Sequence, residues 1–251
     1  MYAFDDIPKI TIVTVVYNNQ KFLESTIRSV LSQNYKNIEY IIIDGGSTDG
    51  TIDIIRKYEN NLYYWISESD SGIYDAMNKA ILKLSLNSWV LFLNSGDYFF
   101  DNDILMRVSH SFSDSLDFIF GDVAIRNKDS LKIVKARKPS ETEMPGCHQS
   151  MLVRSELLQK HFFDLSYRVG ADFEFYLRSN QNINRVGQFN GVISEISPEG
   201  FSALNENTLQ RDYFRAIFRY RGKTRAFLWL IRRNARRIFL GLYLFSHLKD
   251  I

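Results

Sequence analysis

Apolar residues in the first half of the chain fall into short continuous runs separated by stretches with helical spacing. Lys9–Val16 and residues 40–43 read as strands covered on both faces, and between them Phe22, Ile27, Val30 and Leu31 predict a helix from about Phe22. Residues 51–58 resume the helical period. Residues 62–66, 89–93 and 118–120 predict three more strands, and a helix from Tyr74 turns Ala76, Ala80 and Leu84 inward. Such β-α-β-α alternation implies an α/β fold with a parallel sheet and right-handed crossovers.

Most of these strands run out into polar residues. Tyr17-Asn18-Asn19 follows the first, and Asp44 opens onto Gly45-Gly46-Ser47-Thr48-Asp49-Gly50-Thr51 after the second. Asn94-Ser95-Gly96-Asp97 follows the fourth, and Gly121-Asp122 the fifth. Ligands of open α/β sheets bind at the carboxyl ends of the strands, so the sheet is expected to gather these groups along one edge. Asp44 reads either as a ligand-facing carboxylate or as a cap on the next helix. The turn after it is neither standard phosphate loop: no Lys lies between Gly45 and Gly50, and the spacing is not G-x-G-x-x-G.

With 251 residues and 45% hydrophobic content, the chain can bury a full-sized core as one α/β domain with appendages. The single cysteine, Cys147, excludes an internal disulfide and suits a reducing compartment; it is either an inert small hydrophobe or a lone nucleophile. Asp5, Asp6 and Pro8 stand where a secretory leader needs basic and apolar residues, so a cytoplasmic location is expected.

The net charge of +2 hides an asymmetry: residues 209–249 hold 11 of the 31 Lys+Arg, with Asp212 as their one acid. In this tail Phe227, Ile231, Ala235, Ile238, Leu242 and Phe245 share one helical face, with Arg232, Arg233, Arg236 and Arg237 opposite. Its apolar blocks are too short to span a bilayer, and the pattern is that of a helix lying on an anionic membrane surface. The alternative is a helix packed on the body of the chain or on a second subunit of a homo-oligomer. Nucleic acid is not expected as a partner, because no binding motif accompanies the charge and the body is acidic.

Val15-Val16-Tyr17-Asn18, Ile43-Asp44-Gly45-Gly46-Ser47-Thr48-Asp49-Gly50-Thr51, the segment 72–81 and Leu93-Asn94-Ser95-Gly96-Asp97 together resemble glycosyltransferase family 2 over roughly residues 8–200. The resemblance implies a GT-A nucleotide-diphospho-sugar transferase fold, with a mostly parallel central sheet flanked by helices. A catalytic domain would cover 1–206, its donor half about 8–125 and its acceptor half about 126–206, followed by a C-terminal amphipathic helical extension over 207–251. It further implies inverting transfer of a sugar from a nucleotide-sugar donor, a UDP-sugar, to a saccharide acceptor. In relatives that build bacterial surface glycans the acceptor is lipid-linked, which would place the protein peripherally on the cytoplasmic face of the inner membrane.

Roles follow from the resemblance residue by residue. Asp44 would meet the nucleotide base, and Tyr17 would stack on it unless it is an aromatic plug under the loop. Asp70 and Asp75 would line the donor pocket, although Asp75 equally suits a helix start. A divalent cation, Mg²⁺ or Mn²⁺, would sit on the donor diphosphate. Gly96 occupies a position where a second acid is expected, leaving Asp97 as the metal ligand and Asn94 as an amide oxygen or ribose contact. His148, after Pro145-Gly146, is a donor-phosphate or metal contact or else structural. Asp172, at a helix start in the segment 169–178, matches the general base, with an N-cap as the alternative reading and Glu174 as the second candidate.

The polymerase signature Q-x-x-R-W is missing, which implies one sugar added per acceptor. A sugar-nucleotide-forming nucleotidyltransferase would need a Gly-rich basic loop where Tyr17-Asn18-Asn19-Gln20-Lys21 stands. Gly96 keeps open a noncatalytic nucleotide-sugar-binding or scaffold subunit of a membrane glycan synthase.

Overall fold

The computed structural model describes residues 7–127, 130–140, 142–180, 182–198 and 205–247, with side chains described as far as Ala235. Its first half alternates strand and helix: β1 (Lys9–Val16), α1 (Gln20–Leu31), β2 (Ile38–Asp44), α2 (Thr51–Lys57), β3 (Tyr64–Ser67), α3 (Ile73–Ile81) and β4 (Ser88–Phe92). β4 is buried along its whole length, as a strand covered on both faces must be. In α3 the buried residues Tyr74, Ala76, Met77, Ala80 and Ile81 recur at helical spacing on one face.

The second half contains β5 (Tyr98–Phe99), α4 (Ile104–Ser109), β6 (Phe118–Asn127), β7 (Ser130–Val134), β8 (Met151–Arg154), α5 (Ser155–Lys160), α6 (Ala171–Ser179) and β9 (Val186–Ile196). Two helices, α7 (Glu206–Arg221) and α8 (Lys223–His247), close the chain. The sheet runs β3-β2-β1-β4-β8-β6-β9-β5, with β7 paired to β6. β3, β2, β1 and β4 are mutually parallel, whereas β8 is antiparallel to both of its neighbours. The parallel sheet expected from sequence is therefore β3-β2-β1-β4, and the strands that follow pair in mixed orientation.

Two expectations change. The fifth predicted strand does not end at Gly121-Asp122: β6 continues to Asn127, and Asp122 is buried, accepting from the Ala136 N–H and pairing with Lys135. It belongs to the β6–β7 side of the sheet. Residues beyond 206, expected as an appended extension, also pack on the body of the chain. Ala216, Ile217, Ala226 and Trp229 share one core with Phe173, Phe175 and Tyr176 of α6, each large buried side chain contributing about 1.5–3 kcal/mol. Asp212, fully buried, accepts from the Val169 and Gly170 N–H groups at 3.0 and 3.3 Å, which fixes the start of α6.

Among the described residues no helix is long and apolar enough to cross a membrane. In α8, Ala226 and Trp229 face the domain, while Phe227 and Ile231 are 54% and 62% exposed. Arg236, Arg237, Ile238, Leu242 and Phe245 lie outside the residues whose side chains are described.

Candidate functional site

The glycine-rich turn after β2 ties two loops together. Ser47 Oγ donates to Asp44 and accepts from the Asn18 N–H, Thr51 Oγ1 accepts from the Asn19 N–H, and Asn18 Oδ1 accepts from the Thr48 N–H. Asp44 also takes the Gly46 and Ser47 N–H groups and the Ser67 hydroxyl on Oδ2 and is fully buried. These hydrogen bonds make Asp44 the organiser of the turn, with three donors on Oδ2 and one on Oδ1.

Asp70, beside the turn, is partly exposed. It rests against the Gly45 backbone, where an added Cβ would overlap Asp70 Oδ2, and it accepts from the Gly72 N–H at 2.9 Å. Gly45 is thus a close-approach position rather than a conformational one. Tyr17, at the exit of β1, is 64% exposed, so it is no plug; its ring is open beside the same turn. Asp75 accepts from the Ser71 N–H at 2.9 Å and lies in the first turn of α3, the helix-start arrangement its alternative reading describes.

One strand further along the sheet, the segment after β4 faces the acceptor half. Asn94 Nδ2 lies 3.0 Å from His148 Nε2, and His148 Nδ1 lies 3.3 Å from Asp172 Oδ2. An amide nitrogen only donates, so Nε2 accepts and the ring proton sits on Nδ1, pointed at Asp172. The Tyr74 hydroxyl lies 2.7 Å from the Val169 carbonyl and 3.0 Å from Asp172 Oδ1. Burial, then the Asp172 charge, pushes this hydroxyl well above the usual tyrosine range, so it remains a donor. Asp172 is the second residue of α6, not its cap; Gly170 holds that position, so the N-cap alternative does not describe it.

Asp97 shares this centre. It is 7% exposed, accepts from Gln149 Nε2 at 3.2 Å, and burial raises its carboxyl to about 6 against the pull of His148 and Gln149. Gly96 takes φ +100°, a conformation L side chains rarely adopt, which accounts for glycine where a second acid was expected. Asn94 Oδ1 and Ser95 Oγ are buried without hydrogen-bond partners. Among the described residues no group of three or more His, Cys, Asp or Glu could hold a metal ion. What residues 94–97 offer is one carboxylate and two orphaned oxygens, a set that fits a hard cation completed by ligand phosphates and water.

Two other candidates are excluded from chemistry. Glu174 is fully buried and holds Arg178 through two hydrogen bonds, with the Tyr220 hydroxyl donating at 2.6 Å; it is an internal clamp between α6 and α7. The Cys147 thiol is pushed up to about 11, first by desolvation and then by Asp172 and Asp97, so it carries no thiolate near neutrality. The sequence reading missed Tyr74, Gln149 and Asp212. Tyr74 and Gln149 carry no signal, but Asp212 does, as the lone acid in a basic stretch.

The model for "Glycosyl transferase family 2" matches residues 11–175. A PGL/p-HBAD biosynthesis glycosyltransferase of Mycobacterium tuberculosis is 27% identical over 224 residues, covering 84% of each chain. The crystal structure of Staphylococcus aureus TarS residues 1–349 in complex with UDP-GlcNAc superposes with a TM-score of 0.65 at 19% identity, covering 84% of this chain and 66% of that one. Of the longer TarS chain, this one spans 40%. The mannosyltransferase PcManGT from Pyrobaculum calidifontis, in complex with GDP-Man and Mn²⁺, gives 0.67 at 19% identity, covering 84% and 64%. Both structures share the GT-A architecture described above. By its motifs and its match over residues 11–175, the chain belongs to glycosyltransferase family 2.

Proposed function

We propose that the protein is an inverting hexosyl- or N-acetylhexosaminyl-transferase that moves one sugar from a UDP-sugar to a lipid-linked saccharide in cell-surface glycan synthesis. The observation that carries this reading is the contact chain Asn94–His148–Asp172, with Asp97 beside it. It joins the end of a donor-half strand to the start of an acceptor-half helix.

In this reading Asp172 takes the proton of the acceptor hydroxyl as its oxygen attacks the anomeric carbon, and the bonding pair to the diphosphate leaves with the diphosphate. His148 and Tyr74 fix the orientation of the carboxylate. Asp97 and Asn94 Oδ1 would hold a divalent cation, which would stabilise the charge on the leaving diphosphate. Tyr17 offers a stacking face to the base, Asp44 at the end of β2 meets the base, and Asp70 lines the donor pocket beside it. The TarS complex with UDP-GlcNAc supports a uridine donor, and the PcManGT complex with Mn²⁺ supports the metal.

The exposed Phe227 and Ile231 on a basic helix support peripheral attachment to the cytoplasmic face of the inner membrane. Their double replacement by Glu is expected to abolish co-sedimentation with anionic vesicles.

Thermal unfolding across a panel of nucleotide sugars tests the donor. A ligand at 100 times its Kd stabilises by roughly 2.7 kcal/mol, so with Mn²⁺ a UDP-sugar should raise Tm by several degrees. A shift with purine nucleotide sugars alone would overturn the uridine reading, and no shift with any of them would overturn donor binding.

A further inference from the structure

A cavity opens beside Phe173, the residue that follows Asp172. It encloses about 390 Å³, within the range of small-molecule sites, and its floor carries Phe173, Tyr213 and Trp229. Phe173 follows Asp172 in sequence and stacks on Tyr213 at 4.0 Å; Tyr213 lies 6.4 Å from Trp229. Phe173 adjoins the proposed base in sequence, so this aromatic ladder begins beside it. Phe173 and Trp229 are buried and Tyr213 is half-buried, which makes this side of the cavity apolar.

The same lining carries three arginines and two glutamates. Arg137, Arg232 and Arg233 line the cavity with Glu143 and Glu206 as the acids among its described residues. Two of the guanidiniums are held in place: Arg137 by Glu143 at 2.8 Å, and Arg233 by Glu206 at 2.9 Å and by the face of Trp229 at 5.7 Å. Arg232 is exposed at the mouth, where an adjoining recess of about 350 Å³ adds Arg225 and Leu228. Three guanidiniums against two carboxylates leave the lining one positive charge in excess, and guanidiniums held in this way can take phosphate oxygens on their remaining N–H groups. The exposed Phe227, Leu228 and Ile231 stand on the same helix.

We infer that this cavity is the acceptor subsite and that Arg137, Arg232 and Arg233 recognise a phosphoryl or diphosphoryl group on the acceptor saccharide. The inference rests on the transferase reading above. It makes α8 part of the substrate site as well as a surface helix. Phosphate on a lipid carrier and phosphate on a soluble sugar share this chemistry.

Full-length protein saturated with UDP and Mg²⁺, so that the donor site is blocked, is titrated with geranyl diphosphate, inorganic diphosphate and geraniol while tryptophan fluorescence is followed. Geranyl diphosphate should bind saturably, with the signal removed by Trp229→Phe. Arg137→Gln/Arg232→Gln should weaken it about thirtyfold while UDP affinity stays within about threefold. Comparable binding of inorganic diphosphate assigns the site to a soluble phosphorylated acceptor, and preference for geranyl diphosphate assigns it to a lipid-linked one. No saturable binding of either diphosphate, equal binding of geraniol, or indifference to the arginine changes would overturn the inference. Loss of UDP binding in the wild-type protein would instead fail the transferase reading.

Discussion

His148 Nδ1 stands 3.3 Å from Asp172 Oδ2 while the opposite edge of its ring meets Asn94. The imidazole therefore spans the two halves of the site, and its proton is aimed at a carboxylate that Tyr74 holds from the other side. His148→Ala should lower kcat by about 10–100-fold, since orientation of the base is lost while the carboxylate remains. Tyr74→Phe should lower kcat by roughly tenfold with KM little changed. Steady-state kinetics check both; a change confined to KM in either variant would show that the group binds substrate and does not orient Asp172.

Asp97 links function to stability through pH. Its folded-state carboxyl is raised from 3.8 to about 6, so between those values the folded chain keeps a proton that the unfolded chain has released. Stability should therefore fall as pH rises from about 4 to 6 and stay lower above it, by at most roughly 3 kcal/mol. Asp97→Asn should be more stable than wild type at pH 7.5 and similar to it near pH 4. Mn²⁺ with UDP should stabilise wild type at pH 7.5 and leave the variant unmoved. Denaturant unfolding at the two pH values checks this, and parallel pH curves for the two proteins would contradict it.

Gly45→Ala separates the turn's roles. The new Cβ meets the mobile end of Asp70, not backbone, so the fold should lose less than about 1 kcal/mol while the carboxylate swings away. Nucleotide affinity should fall about tenfold, matching Asp70→Ala. Calorimetric titration with UDP checks the pair, and unchanged affinity in both would remove Asp70 from the donor site.

Much of this architecture was legible in the chain because β1, β2 and β4 are continuous apolar runs that only a doubly covered strand explains. The acceptor half was less legible: β8 and β9 are short or half-exposed, and their pairing joins segments far apart in sequence. Residue type pointed to Asp97 and Asp172, which the fold brings to one centre, but did not show that Asp44 also organises its own turn, and it left Glu174 open. An acid at a strand end can face a ligand, its own turn or both, and only the positions of Ser47, Ser67 and Arg178 show the inward contacts. The α7 contribution was hidden because the basic residues of the tail dominate its composition, while Asp212 and Ile217 do the packing.

Glu174 supplies a contrast to Asp172 two residues away. Glu174→Gln leaves Arg178 without its counter-charge in a buried clamp and should cost about 2–4 kcal/mol of stability. Its kcat, measured on the folded fraction at low temperature, should stay within about threefold of wild type. A large kcat loss in a stably folded variant would return Glu174 to the list of bases.

The central claim is that Asp172 deprotonates an acceptor bound beside the donor. Transfer and UDP affinity measured together in Asp172→Asn test it most directly, because the amide keeps the shape and loses the base. The account predicts a fall in kcat of about 10³-fold or more with UDP affinity within about threefold of wild type. Transfer at the wild-type rate by Asp172→Asn would contradict it.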